Sequence, residues 1–209
     1  MNSVTGGLMV NSETFAGFKW LNESRADVKN GRLTLLAPPK SDFFYNNDAA
    51  SETGISPENL SNAPFYYTEV SGDFVLTVKV SVDFVDTYDA AAVMVMKNDH
   101  TWVKSCFEKT DFNTRAVVSV VMNQFTDDAN GNNIDGNSIW LKVVRIGQSF
   151  ALHYSVDGES FNMTRVFTLP VEETVKVGFV AQAPVGNGGE RHFEHFTLEK
   201  KTLENIRFA

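Results

Sequence analysis

Cysteine is nearly absent from this chain of 209 residues: Cys106 stands alone, so no disulfide can form within it. A chain of this size without disulfides is typical of a reducing compartment. The first ten residues contain neither a basic region nor a long apolar run, so the sequence predicts no signal peptide. We therefore expect a cytoplasmic protein.

Long apolar runs and an excess of basic charge are also missing. No stretch approaches the roughly 20 apolar residues that cross a bilayer. Lysine and arginine number 18 against 26 acidic residues, which gives a net charge of −8. Nucleic acids and anionic membranes bind basic surfaces, so the charge argues against both as main partners. Neutral ligands, cations and basic protein surfaces remain as candidates.

Helical periodicity is scarce, whereas apolar and polar residues alternate repeatedly with a period of two. With 43% hydrophobic and 12% aromatic residues, the chain can bury a core, which excludes general disorder. We predict an all-β fold, with residues 1–209 forming one antiparallel β-sandwich of roughly eleven strands and a core over about 15–199. The clearest strands are Gly31–Ala37, Gly72–Phe84, Ala90–Lys97, Thr101–Glu108, Ala116–Phe125, Ser138–Ile146, Ser149–Val156, Phe161–Thr168, Thr174–Ala181 and Arg191–Lys200.

Two polar segments are expected to be loops, residues 40–64 and Thr126–Asn137. The second contains enough Asp and Asn between Asp127 and Asp135 to supply oxygen ligands to calcium. It lacks the glycine at the sixth position and the closing glutamate of helix-loop-helix calcium sites. Because Asx-rich segments also form simple turns, both interpretations stay open. No other cofactor is expected, since His192 and His195 fall on opposite faces of a strand.

The strand Thr101–Glu108 carries the most unusual side-chain pattern in the sequence. Alternation places Trp102, Lys104, Cys106 and Glu108 on one face of this strand. Ionisable side chains are costly to bury without partners, so this face is predicted to be the floor of a groove, with Trp102 as a stacking platform. The alternative is that Lys104 and Glu108 form a structural ion pair within the sandwich.

Catalysis by Glu108 is a further possibility, because glycoside hydrolysis needs two carboxylates about 5–9 Å apart. A second carboxylate would come from a neighbouring strand or loop. Spacing alone selects none of the candidates, which are Asp42, Asp89, Asp127 and Asp128.

A set of short phrases in a fixed order resembles a known family. They are Gly72-Asp73-Phe74, Tyr88-Asp89-Ala90-Ala91, Trp102-x-Lys104-x-x-x-Glu108, Val120-Val121-Met122-Asn123, Thr126-Asp127-Asp128, Arg145-x-Gly147, Tyr154-Ser155-x-Asp157-Gly158 and Val177-Gly178-Phe179 through Pro184-x-Gly186. The order is similar to that of concanavalin A-like domains of unknown function, which include the fungal regulators of enolase. It also resembles the C-terminal sandwich of family 43 β-xylosidases.

This resemblance implies a jelly roll of two antiparallel sheets, with Lys104 and Glu108 on the concave side. Two departures stand out: Met122 replaces a frequent threonine, and Asp42-Phe43-Phe44 replaces an Asp-Phe-Trp phrase, which removes a tryptophan that could stack on sugar.

Together these features predict a non-catalytic domain that binds carbohydrate or a similar polyhydroxylated ligand in a concave groove. Its predicted ligand-binding residues are Trp102, Lys104 and Glu108 on the floor, Asn123, Asp127 and Arg145 on the rim, and Tyr45 in the 40–64 side wall. The alternatives are a cytosolic regulatory domain that binds a protein partner, as the enolase-regulator resemblance implies, and a glycoside hydrolase that uses Glu108.

Overall fold

The computed structural model describes residues 11–45 and 60–208. Apart from a short 3-10 helix at Ser12–Phe15, the regular structure in these ranges is β-strand. In chain order the strands are β1 (Lys19–Leu21), β2 (Ala26–Lys29), β3 (Arg32–Ala37), β4 (Phe43–Phe44), β5 (Leu60–Ser61), β6 (Phe65–Ser71), β7 (Phe74–Val82), β8 (Ala90–Asn98), β9 (Thr101–Lys109), β10 (Arg115–Asn123), β11 (Phe125–Asn133), β12 (Ser138–Ile146), β13 (Ser149–Ser155), β14 (Asn162–Thr168), β15 (Thr174–Gln182) and β16 (Gly189–Glu199).

The strands form two seven-stranded sheets. The first sheet has the order β1-β6-β15-β8-β9-β10-β11, and the second has the order β14-β13-β12-β7-β16-β3-β2. Strands β4 and β5 pair separately. The pairings within both sheets are antiparallel. The predicted all-β sandwich of two antiparallel sheets is confirmed. In the ranges that the structure describes, no helix is long and apolar enough to span a bilayer.

The main core lies between the two sheets and follows from alternation along the strands. On β7, every second residue from Phe74 to Val82 is fully buried against the first sheet. Aromatic rings concentrate at the centre, where Phe179 lies 4.8 Å from Phe193 and 5.1 Å from Phe196, measured between ring centroids. Burying each such side chain stabilises the fold by about 1.5–3 kcal/mol.

A second apolar cluster covers the other face of the first sheet, which we call the outer face. Here Met94 and Met96 of β8 and Val118 and Val120 of β10 pack with Phe43 of β4. Strands β8, β9 and β10 are therefore buried on both faces, which explains why Ala90–Lys97 is apolar at nearly every position.

Buried arginines connect the two sheets. Arg191 of β16 forms an ion pair with Asp89, with 2.7 Å between Nη2 and Oδ1, and both side chains are about 1% exposed. Arg191 Nη2 also donates to the carbonyl of Gln182 in the first sheet at 3.0 Å. Since charged groups are costly to bury unpaired, these contacts fix how β16 sits against the ends of β8 and β15.

Arg145 has a similar bridging position. Its guanidinium donates to the carbonyls of Gly147, Glu172 and Glu173 at 2.6–2.9 Å. The prediction that Arg145 lines the rim of the groove is wrong, because β12 belongs to the second sheet and this side chain is spent on backbone carbonyls near the start of β15.

Several strands of the structure are not predicted by the alternation pattern of the sequence. Segment Thr126–Asn137 was expected to be a loop, but Phe125–Asn133 forms β11, the edge strand of the first sheet. Because β11 is exposed almost throughout, it carries no apolar alternation that would reveal a strand. The short strands β1, β2, β4 and β5 and the seven-residue strand β6 were also not predicted. Of the expected 40–64 loop, residues 46–59 lie outside the described ranges.

Candidate functional site

Strand β9 has the two faces that its sequence predicts. Lys104 pairs in register with Met94 and Val120, both members of the outer apolar cluster. Val103 and Phe107 instead belong to the core between the sheets. The polar side chains of β9 thus sit in the centre of an otherwise apolar sheet face.

The end of this face at Trp102 is occupied by packed aromatic side chains. Trp102 is 2% exposed, its ring lies 6.2 Å from that of Phe43, and its indole N–H donates to the carbonyl of Asp99 at 3.2 Å. Trp102 therefore packs against Phe43 in the interior, and its ring does not serve as the exposed stacking platform that the sequence predicts. Phe43, at the position where the resembled family often places its Asp-Phe-Trp phrase, supplies the ring that covers it.

Lys104 is buried at the centre of a polar network. Its Nζ donates to Oδ1 of Asp42 at 2.7 Å and to Oε1 of Gln182 at 2.9 Å. Burial alone would lower the pKa of the ammonium group, but the charge of Asp42, with smaller contributions from Cys106 and Glu108, raises it to about 12. Lys104 is 1% exposed and stays charged. The alternative of a structural Lys104–Glu108 ion pair is wrong, because the carboxylate that pairs with Lys104 belongs to Asp42.

Glu108 has a different environment from Asp42. Its Oε2 accepts a hydrogen bond from Nε2 of Gln182 at 3.3 Å, and the residue is 7% exposed. Burial raises the pKa of this carboxyl well above its ordinary value of 4.5, and Lys104 offsets the effect only in part. No ion pair to Glu108 occurs among the residues described. The network therefore combines a charged Lys104–Asp42 pair with a carboxyl whose pKa is raised.

Gln182 joins the two halves of this network. Because a lysine ammonium only donates, the amide oxygen of Gln182 must face Lys104, and its NH2 group must face Glu108. The register explains its place, since Gln182 pairs with Ala90 and Ala90 pairs with Glu108. Gln182 was not among the predicted site residues. Its position on the alternating β15 strand is the signal that could have indicated it.

Two further predicted residues lie at the Trp102 end, away from Glu108. Asn123 is exposed and pairs in register with Thr101, the first residue of β9. The backbone N–H of Tyr45 donates to Thr126 Oγ1 at 3.0 Å, and its ring lies 6.1 Å from that of His100. Neither residue is brought next to Glu108.

Two neighbouring aspartates, Asp127 and Asp128, lie on β11. Asp127 was predicted to bind ligand, but it is Asp128 that lies on the outer face. Asp127 pairs with Val121 of the inter-sheet core and forms a 2.8 Å ion pair with Arg165 of β14. Asp128 pairs with Val120, which itself pairs with Lys104, so Asp128 shares the face of the polar network. Because Thr126–Asn137 was predicted to be a loop, the alternation of its side chains between the two faces of the sheet was not predicted.

The strand conformation also bears on the calcium interpretation. Successive side chains on β11 point to opposite faces, so they do not wrap around a common centre. Across the ranges 11–45 and 60–208, no three His, Cys, Asp or Glu side chains gather as a metal site requires. Cys106 is buried, and burial raises the pKa of its thiol well above the usual range.

We expect Glu108→Gln to change how stability depends on pH. The folded state holds the Glu108 proton more tightly than the unfolded state, so wild-type stability falls as pH rises from 4.5 towards the raised pKa. The variant lacks this loss, and its stability relative to wild type should grow by at most about 1.4 kcal/mol per pH unit. Urea unfolding between pH 4.5 and pH 9 measures the difference. A constant difference, equal to that of the exposed control Glu199→Gln, would contradict the prediction.

Comparison with known proteins places the whole sandwich in a wider group. The family described as "Protein of unknown function (DUF1349)" matches residues 20–201. The chain is 24% identical over 188 residues to "Regulation of enolase protein 1" of Saccharomyces cerevisiae, a match that covers 86% of this chain and 87% of that protein.

Solved structures show the same fold. A functionally unknown protein from Saccharomyces cerevisiae superposes with a TM-score of 0.80 at 23% identity, covering 90% of this chain and 98% of that one. The carbohydrate-binding module CBM66 from Bacillus subtilis gives 0.58 at 13% identity, with coverages of 89% and 97%. Xylan β-1,4-xylosidase from Bacillus halodurans gives 0.64 at 12% identity, over 82% of this chain and 33% of that enzyme. At these identities the likeness concerns the fold, and it confirms the concanavalin A-like sandwich.

Proposed function

Because the chain belongs to the DUF1349 family, which is described as of unknown function, we propose a function from the site itself. We propose that the chain binds, without catalysis, a carbohydrate or similar polyhydroxylated ligand at the outer face of the first sheet. We also propose a cytoplasmic location, which is supported by a sequence whose single cysteine can form no disulfide within the chain.

The observation that carries the proposal is the polar network on an apolar sheet face. Asp42, Lys104, Glu108 and Gln182 are each at most 8% exposed, although apolar residues surround them. A well-packed apolar set is often as stable as a buried ion pair, so stability alone does not require these residues. When it is protonated, the carboxyl of Glu108 can both donate and accept hydrogen bonds. Ligand hydroxyl groups have the same dual capacity.

The Glu108 end of the face is where we propose that the ligand binds. Phe43 and Trp102 occupy the other end, and Lys104 is enclosed by Asp42 and Gln182. Tyr88 is half-buried and lies two residues before Ala90, which pairs in register with Glu108. Asp128 is exposed and lies level with Lys104, because it pairs with Val120 and Val120 pairs with Lys104. The similarity to a carbohydrate-binding module supports the proposal at the level of the fold.

A second candidate is a regulatory domain that binds a protein partner. It is favoured by the relative named "Regulation of enolase protein 1", which matches nearly the full length of both chains. Large apolar side chains are also exposed at loops, with Val85 at 68% and Phe112 at 75%. In this function the polar network would serve packing, and the acidic surface would bind the partner.

Calorimetric titration with glucose, xylose, arabinose and xylobiose separates the candidates. We expect wild type to bind at least one of these sugars, and Glu108→Gln to weaken that binding by at least tenfold, or about 1.4 kcal/mol. Glu199→Gln, an exposed glutamate on the second sheet, should bind like wild type. If no sugar binds at 10 mM, the carbohydrate proposal fails, and a stoichiometric protein partner recovered by affinity purification would favour the regulatory function. Release of chromophore from nitrophenyl glycosides would instead indicate a hydrolase.

A further inference from the structure

His153 of β13 is buried although it lies on the face of the second sheet opposite the core, which we call the back face. Its neighbours Leu152 and Tyr154 belong to the core between the sheets, so alternation directs His153 away from that core. The residue is nonetheless 1% exposed, and within the described ranges neither ring nitrogen makes a hydrogen bond of normal geometry. Burying a polar ring without such partners is costly, so His153 is covered against an energetic penalty.

Residues 200–208, which follow β16, extend across this back face. Near their start, the hydroxyl of Thr202 donates to Oδ2 of Asp73, the residue before β7, at 2.6 Å. Near their end, Nη1 of Arg207 lies 3.9 Å from the sulfur of Met163 on β14, which pairs in register with the buried histidine. Because the sheet order is β14-β13-β12-β7, the segment passes over β12 and β13 between these two contacts. We call it the strap.

Apolar residues occur both on the strap and on the sheet beneath it. On the back face, Val144 pairs in register with Val75 and with Ala151, and all three are at most 5% exposed. Within the strap, Leu203 and Ile206 are half-buried. Displacing the strap would therefore expose apolar surface on the second sheet, on the opposite side of the sandwich from the proposed ligand site.

The charged groups around His153 favour its neutral form. Burial lowers the pKa of the imidazole, the backbone of Arg207 opposes this shift only in part, and the charge of Lys142, its register partner on β12, lowers the pKa further. On β14 the register partner is an uncharged methionine. Glu199 and Lys201 lie near Lys142 and form an exposed 3.1 Å ion pair with each other. In the described part of the chain, no carboxylate forms an ion pair with His153.

We propose that the strap is a pH-sensitive latch, which closes over neutral His153 and opens when this histidine takes up a proton, so that apolar surface of the back face becomes accessible. In the open state His153 contacts water and has an ordinary pKa of about 6.5. In the closed state its pKa is lower. Closure is therefore unaffected above pH 6.5 and weakens as the pH falls from this value towards the lowered pKa, by at most about tenfold per pH unit. The latch does not depend on the proposed ligand site, which lies on the other sheet.

The test measures amide hydrogen exchange of the full chain by mass spectrometry at about pH 7.5 and pH 5, corrected for the intrinsic pH dependence of exchange. The strap contains the N–H groups of Arg207 and Phe208, which donate to the side chain and the carbonyl of Asn205. In wild type we expect residues 203–208 to exchange at least about fivefold faster at the lower pH.

Two substitutions of the same histidine give opposite expectations. His153→Leu cannot take up a proton, so its strap should exchange equally slowly at both pH values. His153→Lys places an ammonium group beneath the strap, so exchange at the higher pH should already be at least as fast as in wild type at the lower pH. His192→Gln is the matched control, because His192 is half-buried on the same sheet but pairs with Ser81, at the opposite end of β7 from Asp73. It should keep the wild-type response.

Three results would overturn the latch. The first is a wild-type strap that exchanges equally fast at both pH values after correction. The second is an acceleration at the lower pH that persists in His153→Leu. The third is an equal acceleration in β7 of wild type, which would show that the whole sandwich opens and not the strap alone. Because His153→Leu keeps the site apolar, it remains informative even if His153→Lys does not fold.

Discussion

Replacing Lys104 by methionine is expected to lower the free energy of unfolding by about 3–5 kcal/mol. Methionine fills a similar volume but removes the charge, which leaves Asp42 buried beside an unmatched Gln182 oxygen. The cost comes mainly from this uncompensated carboxylate and less from the loss of attraction in the pair. For a chain of this size, the change corresponds to a fall in melting temperature of about 6–20 °C.

The control for this variant is Lys201→Met, which removes an ion pair with Glu199 whose partners are 46% and 54% exposed. Exposed pairs contribute about 0–1 kcal/mol, so the control should stay close to wild type. The double variant Lys104→Met with Asp42→Asn removes both charges and should recover part of the loss. Equal stability of Lys104→Met and Lys201→Met would show that the network is solvated and would remove the basis for a buried site.

Gly178→Ala should be nearly as damaging, with an expected loss of about 3 kcal/mol. A Cβ atom at this position would overlap the carbonyl of Tyr66 and lie 2.6 Å from the Cα of Tyr67. Both obstacles are backbone atoms of β6, which pairs with β15 at this point. Removing this overlap therefore requires two hydrogen-bonded strands to separate locally. An overlap with a side chain could be removed by a change of rotamer, but backbone atoms cannot move in this way.

Gly17→Ala is the matched control, because a Cβ there meets no atom within 4 Å. Its effect should stay within about 0.5 kcal/mol of wild type. Urea unfolding monitored by tryptophan fluorescence measures both glycine variants. A Gly178→Ala variant as stable as Gly17→Ala would mean that β6 and β15 are not packed as closely as described.

Local alternation made much of the fold predictable from the sequence. On β7 and β9, the period-two pattern assigned each side chain to its face without knowledge of the partner strands. Lys104 and Glu108 were identified because ionisable groups at alternate positions of an apolar strand are unusual. These inferences needed only the pleat of a single strand.

The partners of those residues depend on strand order, which alternation does not determine. Asp42 reaches Lys104 across 62 positions of sequence, and Gln182 reaches it across 78. Gln182 arrives because β15 lies between β6 and β8 in the first sheet, although it is nearly the last strand of the chain. The sequence predicted Asp127 and not Asp128 as a ligand-binding residue for a different reason. Strand β11 lies at the edge of the sheet, where polar residues occupy both faces, so its sequence shows no period-two alternation.

The fixed orientation of the Gln182 amide limits how this site can diverge. Its oxygen requires a donor at position 104, and its NH2 group requires an acceptor at position 108. A substitution at position 42, 104 or 182, or one at position 108 that removes the acceptor oxygen, leaves a buried group without its hydrogen-bond partner, so its effect depends on the residues at the other three positions. A new ligand preference arising here would have to cross less stable intermediates or change several positions together.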